Sequence, residues 1–211
     1  INIGSPIVYK PSAEMFATDK ICGTSVDDRA GCAVLLELIR HIKNGDNGGH
    51  IHIVFTVQEE FNLRGALPAA QQIQPDIALQ IDLILASDTP DMKDFGEVKL
   101  GDGPALSMFS FHGRGTLNGV IPHPELVNYI EKTADQQGIT LQKSAHIGAL
   151  TDLSYVQLVN EGVACADLGF PMRYSHSSHE MCDVNDLVGL TQLLVSFVKG
   201  FPASFQLIRE E

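Results

Sequence analysis

Apolar and polar positions along the chain follow two alternating periods. "HIVFTVQEEFNLRGA" (52–66) carries a β-branched apolar run over residues 53–57, and "DIALQIDLILASD" (76–88) is nearly continuous in apolar residues, broken at Gln80 and Asp82. Runs of this length and make-up predict buried strands. "PALSMFSF" (104–111) and "GVACADLGFP" (162–171) read the same way, with further strands expected over 1–9 and 139–142. Helical patterns lie between them. Asp27 and Asp28 stand where an N-cap belongs, ahead of a helix whose apolar face is expected to hold Ala33, Leu36, Ile39 and Ile42. Further helices are expected over 63–73 (Pro68 near its first turn), 123–138 (closed by Gly138), near 152–160, and over 186–199. Residues 10–24 and 44–49 are rich in turn formers. Strands alternating with helices predict an α/β fold, a three-layer sandwich with a mostly parallel sheet flanked by helices, as one domain over 1–211.

Of 211 residues, 44% are hydrophobic and 19% charged. That supports one sizeable core and excludes a disordered chain. Fourteen basic residues against 26 acidic ones leave a net charge of −12, without any basic run. Nucleic acid and anionic membrane surfaces are therefore not expected partners. Cys22, Cys32, Cys165 and Cys182 show no CxxC spacing, which argues against a zinc knuckle and points to the reduced thiols of a cytoplasmic protein. No apolar run approaches the ~20 residues needed to cross a bilayer, and no signal peptide is visible. The chain opens without Met inside an expected strand, so residues upstream of Ile1 are expected.

In open α/β sheets ligands bind beyond the carboxyl ends of the strands. The polar residues expected there are Asp27-Asp28, Glu59-Glu60, Asp82 and His176. Adjacent carboxylates at the end of a buried strand repel each other and resist burial. A divalent cation would resolve the conflict, because hard cations take oxygen ligands and zinc also accepts imidazole. A carboxylate that bridges two ions, flanked by one terminal carboxylate and one histidine per ion, makes a two-metal hydrolase centre. Of Glu59 and Glu60, one can hold an ion while the other reaches the attacking water. Each residue also has an ordinary reading: "EE" as a solvated strand end, "DD" as a helix cap, His176 as an exposed loop histidine. Asp82 is hardest to explain that way, since an unpaired aspartate among Ile, Leu and Ala is costly. His50 and His52 alternate toward the far end of their strand, His123 reads as a cap, and His179 is a weaker rival to His176. "GDGPAL" (101–106) lacks the Lys-Ser or Lys-Thr of a phosphate loop, and no G-x-S-x-G elbow accompanies Ser175 or Ser177.

"TSVDDRAGCAVLLELI", "VFTVQEEFNLRGA", "PDIALQIDLILASDTP" and "PMRYSHS" closely resemble the co-catalytic metallo-aminopeptidases of the tetrahedral aminopeptidase family, which includes glutamyl and deblocking aminopeptidases and the frv-operon peptidases. The resemblance implies that Asp27 bridges two divalent ions, zinc or cobalt, that Glu60 and His176 ligate one of them, and that Asp82 ligates the other. It makes Glu59 the general base, Asp28 a cap or outer acceptor, Arg29 a brace for the turn, and "GALTD" (148–152) a loop near the substrate's amino end. It implies peptide substrates and a homo-oligomer, a dodecamer in the family. The family's remaining ligand is a histidine of a His-x-Asp motif far upstream, and no histidine precedes Asp27. The chain is accordingly expected to be the C-terminal portion of such a peptidase, without the dimerisation domain. Alternative expectations are a related metal-dependent deacylase or carboxypeptidase, or an inactive domain serving assembly.

Overall fold

The computed structural model describes residues 6–18, 25–42, 49–112 and 119–207. In chain order, strands β1 (Ile7–Lys10) and β2 (Met15–Thr18) are followed by helices α1 (Val26–His41) and α2 (Ala66–Ile73) and strand β3 (Ile77–Leu85). Strands β4 (Ala105–Phe111) and β5 (Gly119–Val120), helix α3 (Pro124–Gln137), strand β6 (Gln142–Ile147) and helix α4 (Leu153–Val156) come next. Strand β7 (Ala164–Arg173), the short β8 (Met181–Cys182) and helix α5 (Val184–Gly200) complete the described elements.

Strand β7 organises the sheet. It pairs in parallel with β3 over nine residues and antiparallel with β4 and β8 over shorter stretches, while β4 pairs in parallel with β6. The longest ladders are the parallel ones. Helices α1, α3 and α5 cover one face, packing Val34, Leu38, Ile130, Leu193 and Phe197 against Ile81, Leu106, Leu168 and Phe170. Helices α2 and α4 cover part of the other, around Ala66, Ala70, Leu153, Val156 and Cys165. The result is the expected three-layer sandwich.

Local sequence explains the helix ends. His123 caps α3 by accepting a hydrogen bond from the Glu125 amide at 3.3 Å, and Gly138 ends it in the left-handed region at φ 64°. Asp183 caps α5 through the Asn185 amide at 2.7 Å.

Several expectations are corrected. The run 53–57 forms no strand: it has no regular structure, ends in a bend and pairs with no strand among the described residues. β propensity reports how side chains fit against strand neighbours, and without such a neighbour it makes no ladder, so His50 and His52 do not lie on a strand either. Residues 15–18, expected as turn, pair with β1. The strand expected over 139–142 begins at Gln142 and continues to Ile147, beside β4. On α1 the buried stripe is Gly31, Val34 and Leu38, while Ala33, Leu36 and Ile39 are exposed. Positions spaced strictly by three drift around a 3.6-residue helix, so that stripe could not stay on the core. The expected turn over 44–49 and Cys22 fall largely or wholly outside the described residues.

Among the described strands, β3 pairs only with β7 and so forms an edge. Between that edge and the segment 49–60 lies a cavity of about 1050 Å³, bounded by α1 and α5 on one side and α2 and α4 on the other.

Candidate metal centre

Chain reversals deliver the candidate ligands. At the start of α1, Asp27 and Asp28 have non-helical backbone angles. Asp28 is the residue that caps the helix, its Oδ1 accepting from the Gly31 amide at 2.9 Å. A Cβ at Gly31 would lie 2.4 Å from that carboxylate, so a larger residue there would have to displace the Asp28 side chain. With Asp28 engaged, the Asp27 side chain is left for other work, and its amide donates to Glu180 Oε2 at 3.3 Å.

Glu59 and Glu60 sit in a compact turn rather than at a strand end. The amides of Leu63 and Phe61 donate to the carbonyls of Glu59 and Gln58, and Gln58, Asn62 and Leu63 adopt left-handed angles. Leu63, 5% exposed, anchors the turn. His176 follows β7 after a reversal in which Tyr174 and His176 both have positive φ. Asp82 lies on β3 opposite Gly169 of β7. A Cβ on Gly169 would lie 2.1 Å from the Asp82 carbonyl oxygen, so only glycine permits this approach.

These reversals bring three predicted ligands together. His176 Nε2 lies 3.4 Å from Asp27 Oδ2 and 3.3 Å from Glu60 Oε2. One ligand atom from each of Asp27, Glu60 and His176 falls within 4.8 Å of the others. Two carboxylate oxygens and an imidazole nitrogen at this spacing fit a divalent cation of zinc type. Asp82 is not in that group, but with Glu59 and the three clustered residues it lines one cavity of about 480 Å³. His179 stands apart, bonded to Ser177 and Ser178.

The electrostatics show what this crowding costs without a cation. Asp27 is pushed up to about 6 by burial first, then by repulsion from Glu60, with His176 opposing. Glu59 is raised to about 7 by burial, then by Asp152, Glu60 and Asp27. Asp28 reaches about 7, mainly through burial. Burial, then Asp28, holds Asp82 well above the usual carboxylate range, although its Oδ1 accepts from the Leu83 amide at 2.6 Å.

Cross-strand register adds a row of polar residues to the site's side of the sheet. Gln80 on β3 faces Asp167 on β7, Asp167 faces Ser107 on β4, and Ser107 faces Ser144 on β6. Side chains directly opposite on neighbouring strands share a face. The next residues along these strands, Ile81, Leu106 and Leu168, point into the helix-covered core.

Comparison with known proteins settles the lineage. The profile of the M42 glutamyl aminopeptidase family matches residues 1–193. The chain belongs to that family. It is 35% identical to the SgcX protein of Escherichia coli K12 over 205 residues, covering 97% of this chain and 55% of that one. Among solved structures, aminopeptidase APDkam598 of the archaeon Desulfurococcus kamchatkensis matches with a TM-score of 0.76 at 33% identity, over 84% of this chain and 48% of that one. The TET1 peptidase of Pyrococcus horikoshii, which can assemble into a tetrahedron or a large octahedral shell, matches at 0.71 and 28% identity, over 84% of this chain and 49% of that one. This M42 chain thus spans about half the length of the relatives it matches.

Some residues around the M42 site escaped the sequence reading. Glu180 was visible in "RYSHSSHE", but nothing in the order of residues linked it to the amide of Asp27. Asp152 was reached only as the last residue of the "GALTD" loop, without a role of its own. It is 2% exposed, takes a hydrogen bond from Thr56, and raises the pKa of Glu59. Asp167 interrupts an apolar strand just as Asp82 does, and that interruption was the available signal.

Proposed function

We propose that this chain carries most of the active site of a metal-dependent aminopeptidase that removes N-terminal residues from peptides. The observation that carries the reading is the convergence of Asp27, Glu60 and His176 on one point of a cavity that Glu59 and Asp82 also line. Asp27, Glu60 and His176 would hold one divalent ion, zinc or cobalt, and Asp27 with Asp82 would serve a second, making the centre dinuclear. Such ions polarise a scissile carbonyl and acidify the attacking water. Glu59 lines the same cavity without belonging to the ligand group, so it takes the role of base: it accepts the proton of the attacking water and passes it to the departing amine. Asp28 and Glu180 position Asp27, one by capping the helix beneath it and the other through its amide.

Full-length protein would act as a homo-oligomer in the cytoplasm. Support comes from the assemblies formed by the TET1 peptidase and from the free thiols of Cys32, Cys165 and Cys182. No helix among the described residues is long and apolar enough to cross a membrane.

Metal content per chain after dialysis against trace zinc, read by elemental analysis, tests the centre. We expect at least one tightly held ion, its loss in Asp27→Ala and His176→Ala, and its retention in Glu59→Gln. Retained ions in Asp27→Ala would contradict the bridging role. In a form of the protein that cleaves aminoacyl anilides, Glu59→Gln should lose turnover by at least 100-fold, the lower end of a general base's contribution. Turnover on blocked amino termini would instead favour a deacylase.

A further inference from the structure

We infer that the floor of the 480 Å³ cavity is a subsite for a cationic side chain, of lysine or arginine type, on the substrate's N-terminal residue. This deepens the aminopeptidase reading and rests on it.

The floor is the polar row crossing the sheet. Asp167, Ser107, Ser110, Ser144 and His146 all line the cavity that also holds the candidate metal centre. Asp167 is the decisive member. It lies on the central strand, 3% exposed, on the face of the sheet opposite the core that Ala166, Leu168 and Phe170 enter, and burying a carboxylate there is costly unless it is paired. Among the described residues its side-chain partner is the Thr151 hydroxyl, placed 2.9 Å from Oδ1 and 3.1 Å from Oδ2. A hydroxyl has one proton to donate, while a carboxylate offers about four acceptor positions. Most of its hydrogen-bonding capacity is therefore unused by the described residues.

Two further observations point to a ligand. Ser110 Oγ, on a residue 4% exposed, makes no hydrogen bond and belongs to the same lining. Among the described residues the lining contains no Lys or Arg, and burial lowers the pKa of His146, which disfavours a charge on that imidazole. The described wall thus presents a carboxylate and a hydroxyl with unused hydrogen-bonding capacity and no Lys or Arg beside them.

Spacing suits the reading. Asp167 precedes Gly169, the partner of Asp82, by two residues, or about 6.6 Å along the strand at 3.3 Å per residue. With the scissile carbonyl at the metal centre, the flexible four-carbon stem of a lysine would carry its ammonium toward Asp167. A glutamate side chain would instead meet like charge.

The test is an NMR titration of the zinc-loaded chain with L-lysinamide, L-norleucinamide and L-isoglutamine. These share the free amino group and differ in the charge of the side chain. We expect lysinamide to bind at least tenfold tighter than norleucinamide and isoglutamine to bind weakest. In Asp167→Asn the lysinamide preference should fall to within twofold, and Ser110→Ala should reduce it by less. Equal binding of lysinamide and norleucinamide to the unmodified chain overturns the subsite while leaving the aminopeptidase reading intact, and needs no variant that folds. A preference retained in folded Asp167→Asn overturns it too. If none of the three amides binds although zinc does, the aminopeptidase reading falls, and the subsite with it.

Discussion

Two apolar runs lead into the centre and share little beyond their composition. Strand β7 runs toward His176 with β3, β4 and β8 bonded to it, and eight of its ten residues are buried. Residues 51–57 run toward Glu59 and Glu60 with comparable β propensity. They pair with no described strand and leave Ile51 40%, Phe55 47% and Val57 69% exposed. Composition favours a strand only where neighbours supply the ladder and the packing. The centre therefore has one half set by a hydrogen-bonded ladder, carrying Asp82 and leading to His176. Its other half is set by a turn, the anchor Leu63 and the contact of Thr56 with Asp152.

The sharpest way to break that contrast is truncation on either side of it. Phe170→Ala, at a position 0% exposed in β7, should cost roughly 3–5 kcal/mol. Val57→Ala should change stability by no more than about 0.5 kcal/mol. Denaturant unfolding reads both, and equal costs would mean that the segment 51–57 is buried after all.

Zinc should bring the two halves together. At 100 times its dissociation constant it would stabilise the fold by about 2.7 kcal/mol, seen as a higher melting temperature and absent in Glu60→Gln or His176→Ala. An undiminished rise in either variant would place the ion elsewhere.

A smaller effect comes from pH. Asp27, Asp28, Glu59 and Asp167 have folded pKa values of about 6 to about 7, above their unfolded values. Between about pH 4 and 7 the folded state then binds more protons than the unfolded one, so stability falls as pH rises through that window. We expect the metal-free chain to melt at a lower temperature at pH 8 than at pH 5.5. Zinc should shrink the difference by favouring the ionised carboxylates. A melting temperature that rises with pH would contradict the carboxylate crowding.

The sequence showed the alternation of strands and helices, the His123 and Gly138 boundaries of α3, and the five residues around the cavity, because period and motif spacing are local properties. Pairing is not local. Whether 53–57 finds a neighbour depends on residues far from it, and Asp167, Ser107 and Ser144 form a row only once β4, β6 and β7 are in register. The Asp27-Asp28 pair was legible as a cap or a ligand, but only the fold divides the roles, giving the cap to Asp28. Helix α1 was found from its pattern, and its buried face was misjudged because the apolar positions outnumber those that one stripe can hold.

The free edge of β3 also bears on how the protein behaves in a tube. Among the described residues, backbone donors and acceptors along one side of this nine-residue strand lack a strand partner, beside exposed Ile51, Val54 and Phe55. Such an edge is a template for any extended chain that reaches it, including another copy of the same strand. A net charge of −12 holds copies apart at low ionic strength, and added salt weakens that repulsion. Solubility should consequently fall as salt is raised, and light scattering against salt at fixed concentration would trace the loss.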